Sequence, residues 1–179
     1  DGTGYDSNGR VTGGVGGYNG TTGDEFVATR VTIDNAPNNQ TETIGDPATF
    51  NIVVSARNTT NFSGSGSPNY GGGSSNTGNR LNYQWYLGDP SSGGVALSNT
   101  GVYSGTDDDT LNISDVTGLD GNVYYVVVTH DDNACVNEVY SASLTVSNPC
   151  DPISSGNIDS DNDGVSDICD VDDDNDGIL

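Results

Sequence analysis

The chain has 179 residues, with 26 acidic side chains against four arginines, no lysine, and a formal net charge of −22. Binding to nucleic acid needs a basic face, so this charge excludes nucleic acid as a partner and disfavours docking on an anionic membrane. No run approaches the roughly 18–20 apolar residues of a spanning helix, so we expect no membrane insertion. The length fits one domain of ordinary size with appendages.

Residues 1–25 are rich in glycine and show no hydrophobic periodicity, with Gly13-Gly14-Val15-Gly16-Gly17 at their centre. A Gly-rich calcium-binding coil needs an Asp after its glycines and repeats in tandem. Here Tyr18-Asn19 follows, and only once. We therefore expect a Gly-rich, flexible or irregular N-terminal extension.

From Phe26 onward, short runs with β-type composition alternate with turn clusters, and no apolar stripe has a helical period. The runs cover residues 27–33, 50–56, 81–87, 95–97, 111–113, 123–129 and 139–146. They predict an all-β fold, a two-sheet β-sandwich over residues 26–148. Residues 58–80, nearly all Asn, Ser, Gly and Thr, form a long interruption that is either a functional loop or a tolerated polar insertion.

Three sequence features resemble strands C, E and F of immunoglobulin-like (Ig-like) domains. They are Trp85 in Tyr83-Gln84-Trp85-Tyr86, Leu111-Asn112-Ile113 followed by Val116 and Asp120, and Tyr124-Tyr125-Val126. The resemblance implies a buried Trp85 and a tyrosine corner, in which the Tyr124 hydroxyl bonds to backbone a few residues upstream.

The chain departs from antibody domains at the cysteine position of strand F, which is Val126 and faces Ile52 or Val54. The inter-sheet disulfide is therefore absent, and we expect apolar packing around Trp85 to replace it. The pattern is similar to the Ig-like repeats of large bacterial surface proteins. That resemblance implies a module for display and spacing, and it implies no enzymatic chemistry.

The C-terminal region, residues 149–179, contains two matching Asp-rich runs, Asp159-Ser160-Asp161-Asn162-Asp163-Gly164 and Asp172-Asp173-Asp174-Asn175-Asp176-Gly177. Calcium takes six to eight oxygen ligands. Carboxylates at alternate positions of a tight loop can supply them, and a Gly in the loop permits the sharp turn. A solvated acidic tail has no reason to repeat this spacing. We predict a Ca²⁺ site with carboxylate ligands and one backbone carbonyl, from Asp159, Asp161, Asp163, Val165, Asp167 and Asp170.

An EF-hand would place a Glu at the twelfth position and helices on both sides, and neither is present. The segment instead resembles thrombospondin type 3 repeats, whose D-x-D-x-D-G-x-x-D-x-x-D units run head to tail and share aspartates. The resemblance implies that Asp170 closes the first site and opens a second with Asp172, Asp174 and Asp176.

The three cysteines are Cys135, Cys150 and Cys169. With a strand over residues 139–146, Cys135 and Cys150 lie at opposite ends, roughly 20 Å or more apart, beyond the reach of a disulfide. The favoured pair is Cys150–Cys169, which leaves Cys135 free or paired outside the chain; three reduced thiols are the alternative. The only histidine, His130, has no visible nucleophile beside it, so we expect it exposed in a loop and predict no enzyme activity.

These features predict a non-enzymatic extracellular or cell-surface module of a bacterial surface fibre or giant adhesin, with a calcium-stiffened connector between repeats. The second Asp-rich loop stops at Leu179 before its ninth position, where Asp1 of a following unit would supply an Asp, so we expect neighbouring copies as partners. The alternative is an accessory or carbohydrate-binding domain of a secreted enzyme. Surface glycans or proteins are further candidate partners.

Overall fold

The computed structural model describes residues 4–5, 11–12, 29–58, 61–62, 68–69, 76–131 and 133–172. The chain divides into two compact units. The first takes Asp1–Asn35, Val53–Asn82 and Val128–Glu138, and the second takes Ala36–Ile52, Tyr83–Val127 and Val139–Leu179.

Almost all regular structure in the described ranges is β. The strands are β1 (Gly4–Tyr5), β2 (Val11–Thr12), β3 (Thr29–Asn35), β4 (Gln40–Thr43), β5 (Ala48–Asn51), β6 (Val53–Asn58), β7 (Asn61–Phe62), β8 (Pro68–Asn69), β9 (Leu81–Leu87), β10 (Val95–Ala96), β11 (Tyr103–Ser104), β12 (Thr110–Ile113), β13 (Val123–His130) and β14 (Asn133–Ser147). The helical turns are two 3-10 turns, Gly78–Arg80 and Pro90–Ser92, and one α-helical turn, α1 (Pro152–Ser155). No helix in these ranges is long and apolar enough to cross a membrane.

The first unit contains an antiparallel ribbon of β3 and β6 and the short pairs β1–β2 and β7–β8. In the ribbon, Arg30 lies opposite Arg57 and Thr32 opposite Ser55. The register shifts by one residue between Ile33 and Asn35, a β-bulge. The buried side chains of this unit include Thr29, Ala56, Val128 and His130.

The second unit contains a five-stranded sheet, in the order β10-β9-β13-β14-β4, and a three-stranded sheet, in the order β11-β12-β5. The pairs β10–β9, β11–β12 and β12–β5 are antiparallel, whereas β4 runs parallel to β14. In Ig notation the first sheet holds strands C′, C, F and G, with β4 added at the G edge, and the second holds D, E and B. The all-β, Ig-like sandwich predicted from the sequence is therefore confirmed.

The core of the second unit lies between these sheets. Phe50 on β5 packs against Trp85 on β9 and Tyr124 on β13, with ring centroids 6.4 and 5.1 Å apart. All three side chains are fully buried, and the Trp85 indole N–H donates to the Asp108 carbonyl at 2.9 Å. The other buried apolar residues of this unit are Ala48, Ile52, Leu111, Ile113, Val116, Val126, Ala142 and Leu144.

The burial of Val126 and Ile52 agrees with the expectation that apolar packing occupies the position of the antibody disulfide. The Tyr124 hydroxyl differs from the tyrosine-corner prediction, because it lies 3.3 Å from the hydroxyl of Tyr103 on β11. A second aromatic hydroxyl therefore takes the place of the expected upstream backbone partner.

The predicted run 50–56 is two strands in the structure. At Ile52 the backbone N–H donates to the Asp109 carbonyl at 3.0 Å, after which the chain changes pairing partner. Residues before this point pair with β12, whereas residues after it pair with β3. The apolar alternation continues through the change, so the sequence pattern does not reveal it.

Three predictions lie partly or wholly outside the described residues. Of the N-terminal extension 1–25 only β1 and β2 are described, and of the 58–80 loop only Asn58, β7, β8 and residues 76–80. The predicted ligands Asp174 and Asp176 also lie outside them.

Candidate calcium site

The segment that follows β14 begins with a capped helical turn. Asp151 accepts a hydrogen bond from the Ile153 N–H at 3.0 Å, and Pro152 occupies the first helical position. Both features favour a helix start. Gly156, with φ 72°, ends the turn in the left-handed region. The chain then enters the Asp-rich loop at Asn157.

Ser166 anchors the loop to the residues just after β14. Its backbone N–H donates to the Cys150 carbonyl at 2.9 Å, its hydroxyl donates to the Pro149 carbonyl, and it is fully buried. A disulfide joins Cys150 to Cys169, with Cα atoms 5.3 Å apart. The disulfide is the pair that strand length favoured, and Cys135 is an exposed free cysteine.

Three carboxylates converge within this anchored loop. Asp159, Asp161 and Asp163 each offer one oxygen, and the three oxygens lie within 4.8 Å of one another. Backbone N–H groups orient them: Gly164 donates to Asp159 Oδ2 at 3.1 Å. Asp163 donates to Asp161 Oδ1 at 3.1 Å, and Val165 donates to Asp163 Oδ1 at 2.8 Å. The D-x-D-x-D-G spacing thus brings three carboxylates together at one side of a tight turn.

Asp159 Oδ1 is buried and has no hydrogen-bond partner among the residues that the structure describes. An unsatisfied buried oxygen on a carboxylate is costly, because it loses hydration and gains nothing in return. A hard cation that prefers oxygen ligands would remove this cost. The three carboxylates and the orphaned oxygen therefore fit a calcium ion.

Negative charge is crowded at this position. The Asp163 N–H, the largest single influence on Asp161, lowers the pKa of its carboxyl. The opposing influences outweigh this hydrogen bond, so the pKa of Asp161 is raised above its ordinary value. They are desolvation, repulsion from Asp163 and Asp170, and a hydrogen bond with Asp159. The influence of Asp170 shows that a fourth predicted ligand bears on the same group.

The other predicted ligands have different surroundings. Asp167 accepts hydrogen bonds from the Ser160 N–H and hydroxyl, both at 2.8 Å, so its carboxylate braces the loop. Asp170 Oδ1 accepts from the Asp172 N–H at 3.0 Å. Val165 follows Gly164, whose φ is 96°. The bracing role of Ser160 and the anchoring role of Ser166 had no signal in the sequence.

His130 lies outside this region, and the prediction that it is an exposed loop residue was wrong. It ends β13 with only 4% of its surface exposed. Its Nε2 lies 3.1 Å from the Thr77 carbonyl and 3.2 Å from the Thr77 hydroxyl. The period-two burial of β13 extends to its last residue and turns the imidazole inward.

No known family model matches the chain, and no curated protein matches it in sequence. Among solved structures it is similar to an Ig complex of titin with obscurin-like 1, at 16% identity over 69% of this chain and 98% of that chain, with a TM-score of 0.44. It is also similar to the Ig-like domain of human leucine-rich repeat-containing protein 4, at 24% identity. That match covers 71% of this chain and 91% of that chain, with a TM-score of 0.38. The N-terminal two-Ig module of the Drosophila receptor tyrosine phosphatase DLAR is similar at 20% identity. That match covers 66% of this chain and 49% of that chain, with a TM-score of 0.42. The strand order and the core, rather than these scores, establish the fold.

Proposed function

We propose that the chain is a non-enzymatic extracellular module in which an Ig-like sandwich is followed by a calcium-stiffened connector. It would serve display and spacing in a surface fibre or adhesin of bacterial type, with neighbouring copies as partners. The observation that carries the proposal is the group of Asp159, Asp161 and Asp163 with its orphaned buried oxygen.

Apart from the disulfide and the hydrogen bonds of Ser160 and Ser166, the loop lacks apolar packing. Its large apolar side chains point outward, with Ile158, Ile168 and Val171 between 66% and 73% exposed. A segment without an apolar core does not offset the entropy of ordering its backbone, and its carboxylates repel one another. Calcium would neutralise that repulsion, so the free energy of binding becomes free energy of folding for this segment.

The disulfide and the type of site both support an extracellular location. Disulfides persist in oxidising compartments and are rare in the cytosol. Calcium sites of extracellular modules bind with dissociation constants of about 10⁻⁴–10⁻³ M, which cytosolic calcium would leave empty. A connector that becomes rigid only in calcium is thus suited to the outside of a cell.

Hydrogen exchange of the whole chain, measured in calcium and in chelator, tests the proposal. We expect amides of residues 157–172 to be protected only in calcium, because the ion orders this loop. Amides of β13 should be equally protected in both conditions, because they belong to the sandwich. Equal protection of the loop with and without calcium would contradict the proposal.

A further inference from the structure

Two arginines face each other on the β3–β6 ribbon. Arg30 and Arg57 are directly opposite in the register, so their side chains project from the same face. The chain has four arginines and no lysine, so this one position holds half of its fixed positive charge. In a molecule with a net charge of −22, such a concentration of cations is a local exception.

A pocket of about 270 Å³ opens at this position. Its lining residues are Arg30, Thr32, Asp34, Ser55 and Arg57, all of them charged or hydroxyl-bearing. Thr32 lies opposite Ser55, and Asp34 sits at the bulge. Arg57, Thr32 and Ser55 are half-buried, whereas Arg30 and Asp34 are exposed.

The chemistry of the lining defines the class of ligand. Arginine binds a carboxylate with two parallel hydrogen bonds, because its planar fork matches the two oxygens. Two guanidinium groups that line one pocket therefore favour a carboxylate as the ligand.

The remaining groups favour a ligand with hydroxyls. The hydroxyls of Thr32 and Ser55 both donate and accept hydrogen bonds, and the Asp34 carboxylate accepts them. A peptide ligand would also need apolar contacts, and no apolar side chain lines this pocket within the described ranges of the first unit. The strongly negative chain would in addition repel a polyanion.

We propose that this pocket binds a sugar acid, such as a uronic acid unit of a glycan. The arginines hold its carboxylate, while Thr32, Ser55 and Asp34 bond its hydroxyls. The inference is independent of the calcium site, because every lining residue belongs to the first unit and the Asp-rich loop belongs to the second.

An NMR titration of the whole chain with glucuronate, in constant calcium, tests the proposal. We expect amide shifts confined to β3 and β6, with a dissociation constant on the order of 1 mM, as is usual for one small polar ligand. Glucose lacks the carboxylate and acetate lacks the hydroxyls, so each should bind at least tenfold more weakly than glucuronate. Equal binding of acetate, or absence of shifts with glucuronate, would overturn the proposal.

Matched variants locate the site. Arg57→Gln and Arg30→Gln should each weaken glucuronate binding by about tenfold or more, because each removes charge-assisted hydrogen bonds. Arg57→Lys keeps the charge and should lose less. Arg80→Gln, an exposed arginine outside the pocket, is the control and should bind as the parent does.

Trp85 fluorescence and the melting temperature establish that each variant is folded. Equal losses in the Arg80 and Arg57 variants would contradict the assignment. Binding of an Asp-containing peptide in place of glucuronate would also contradict it, because the ligand would then be a protein.

Discussion

The backbone N–H of Gly164 donates to Asp159 Oδ2 at 3.1 Å, while Asp159 Oδ1 is buried with no hydrogen-bond partner in the described part of the chain. The two oxygens of one carboxylate therefore have different roles. Oδ2 fixes the turn, and Oδ1 is left for a cation. The glycine is as much a part of the candidate site as the aspartates, because its position orients the first of them.

Gly164→Ala should weaken calcium binding by about tenfold. The φ of Gly164 is +96° and an added Cβ meets nothing within 4 Å, so the cost is backbone strain alone, about 1–2 kcal/mol. The control is Gly118→Ala, at φ +76° with similarly open space around it. It should lower the stability of the sandwich in urea and leave calcium affinity unchanged. A calcium titration that ranks the two variants in the opposite order would contradict this account.

Replacing both Cys150 and Cys169 with Ser should destabilise the Asp-rich loop and weaken its calcium binding. The two cysteines are 19 residues apart, and closing a loop of this size is worth about 3 kcal/mol. Urea unfolding followed by Trp85 fluorescence should change little, because Trp85 reports on the sandwich. Cys135→Ser is the control, since Cys135 is an exposed free thiol. An unchanged calcium affinity in the double variant would show that the loop does not depend on the disulfide.

Phe50→Ala should destabilise the sandwich by about 3–5 kcal/mol, because it leaves a cavity between the two sheets beside Trp85 and Tyr124. Thr49→Ala, at the exposed neighbouring position on β5, should cost about 1 kcal/mol or less. Urea unfolding at neutral pH measures both. Similar midpoints for the two variants would mean that Phe50 does not bridge the sheets.

Tyr124 should make the sandwich sensitive to alkaline pH. Burial, and next the hydrogen bond with Tyr103, raise the pKa of Tyr124 well above its ordinary value of 10.0. The folded state then keeps a proton that the unfolded state releases. This contribution to stability is complete below about pH 10 and is lost as the pH rises toward the folded-state pKa.

Tyr124→Phe should therefore flatten the dependence of stability on pH above pH 10, at a cost near pH 7 of about 1 kcal/mol for the lost hydroxyl contact. Tyr140, which is half-buried rather than fully buried, gives the control variant Tyr140→Phe. Unfolding free energies measured from pH 8 to about pH 12 would show the difference. An equally steep decline in Tyr124→Phe and the parent would assign the effect to other groups.

The sequence predicted the strands whose apolar residues are most regular. The run 123–129 matches β13, whose side chains alternate between half-buried and buried along the whole strand. The run 81–87 matches the bounds of β9. The sequence did not predict β4, whose residues Gln40–Thr43 are all polar. That edge strand is defined by backbone pairing with β14, and its formation depends on a partner about a hundred residues later in the chain.

The Asp and Gly spacing identified the segment in which the carboxylates of Asp159, Asp161 and Asp163 converge, and calcium binding there stays a prediction. The spacing does not reveal which carboxylates converge, because that depends on local hydrogen bonds. Asp167 has the spacing of a ligand, yet its two oxygens accept bonds from Ser160. The sequence likewise did not predict that Arg30 lies opposite Arg57. That pairing follows from the register of β3 and β6, which are separated in the chain by two other strands, β4 and β5.

Calorimetric titration of calcium into the parent chain, Asp159→Asn and Asp46→Asn tests the central claim most directly. Asp46 is an exposed aspartate outside the loop, so the control removes the same charge elsewhere. We predict a parent dissociation constant of about 10⁻⁴–10⁻³ M, at least tenfold weaker binding in Asp159→Asn, and an unchanged value in Asp46→Asn. Absence of calcium binding by the parent, or equal affinities for all three proteins, would contradict the account.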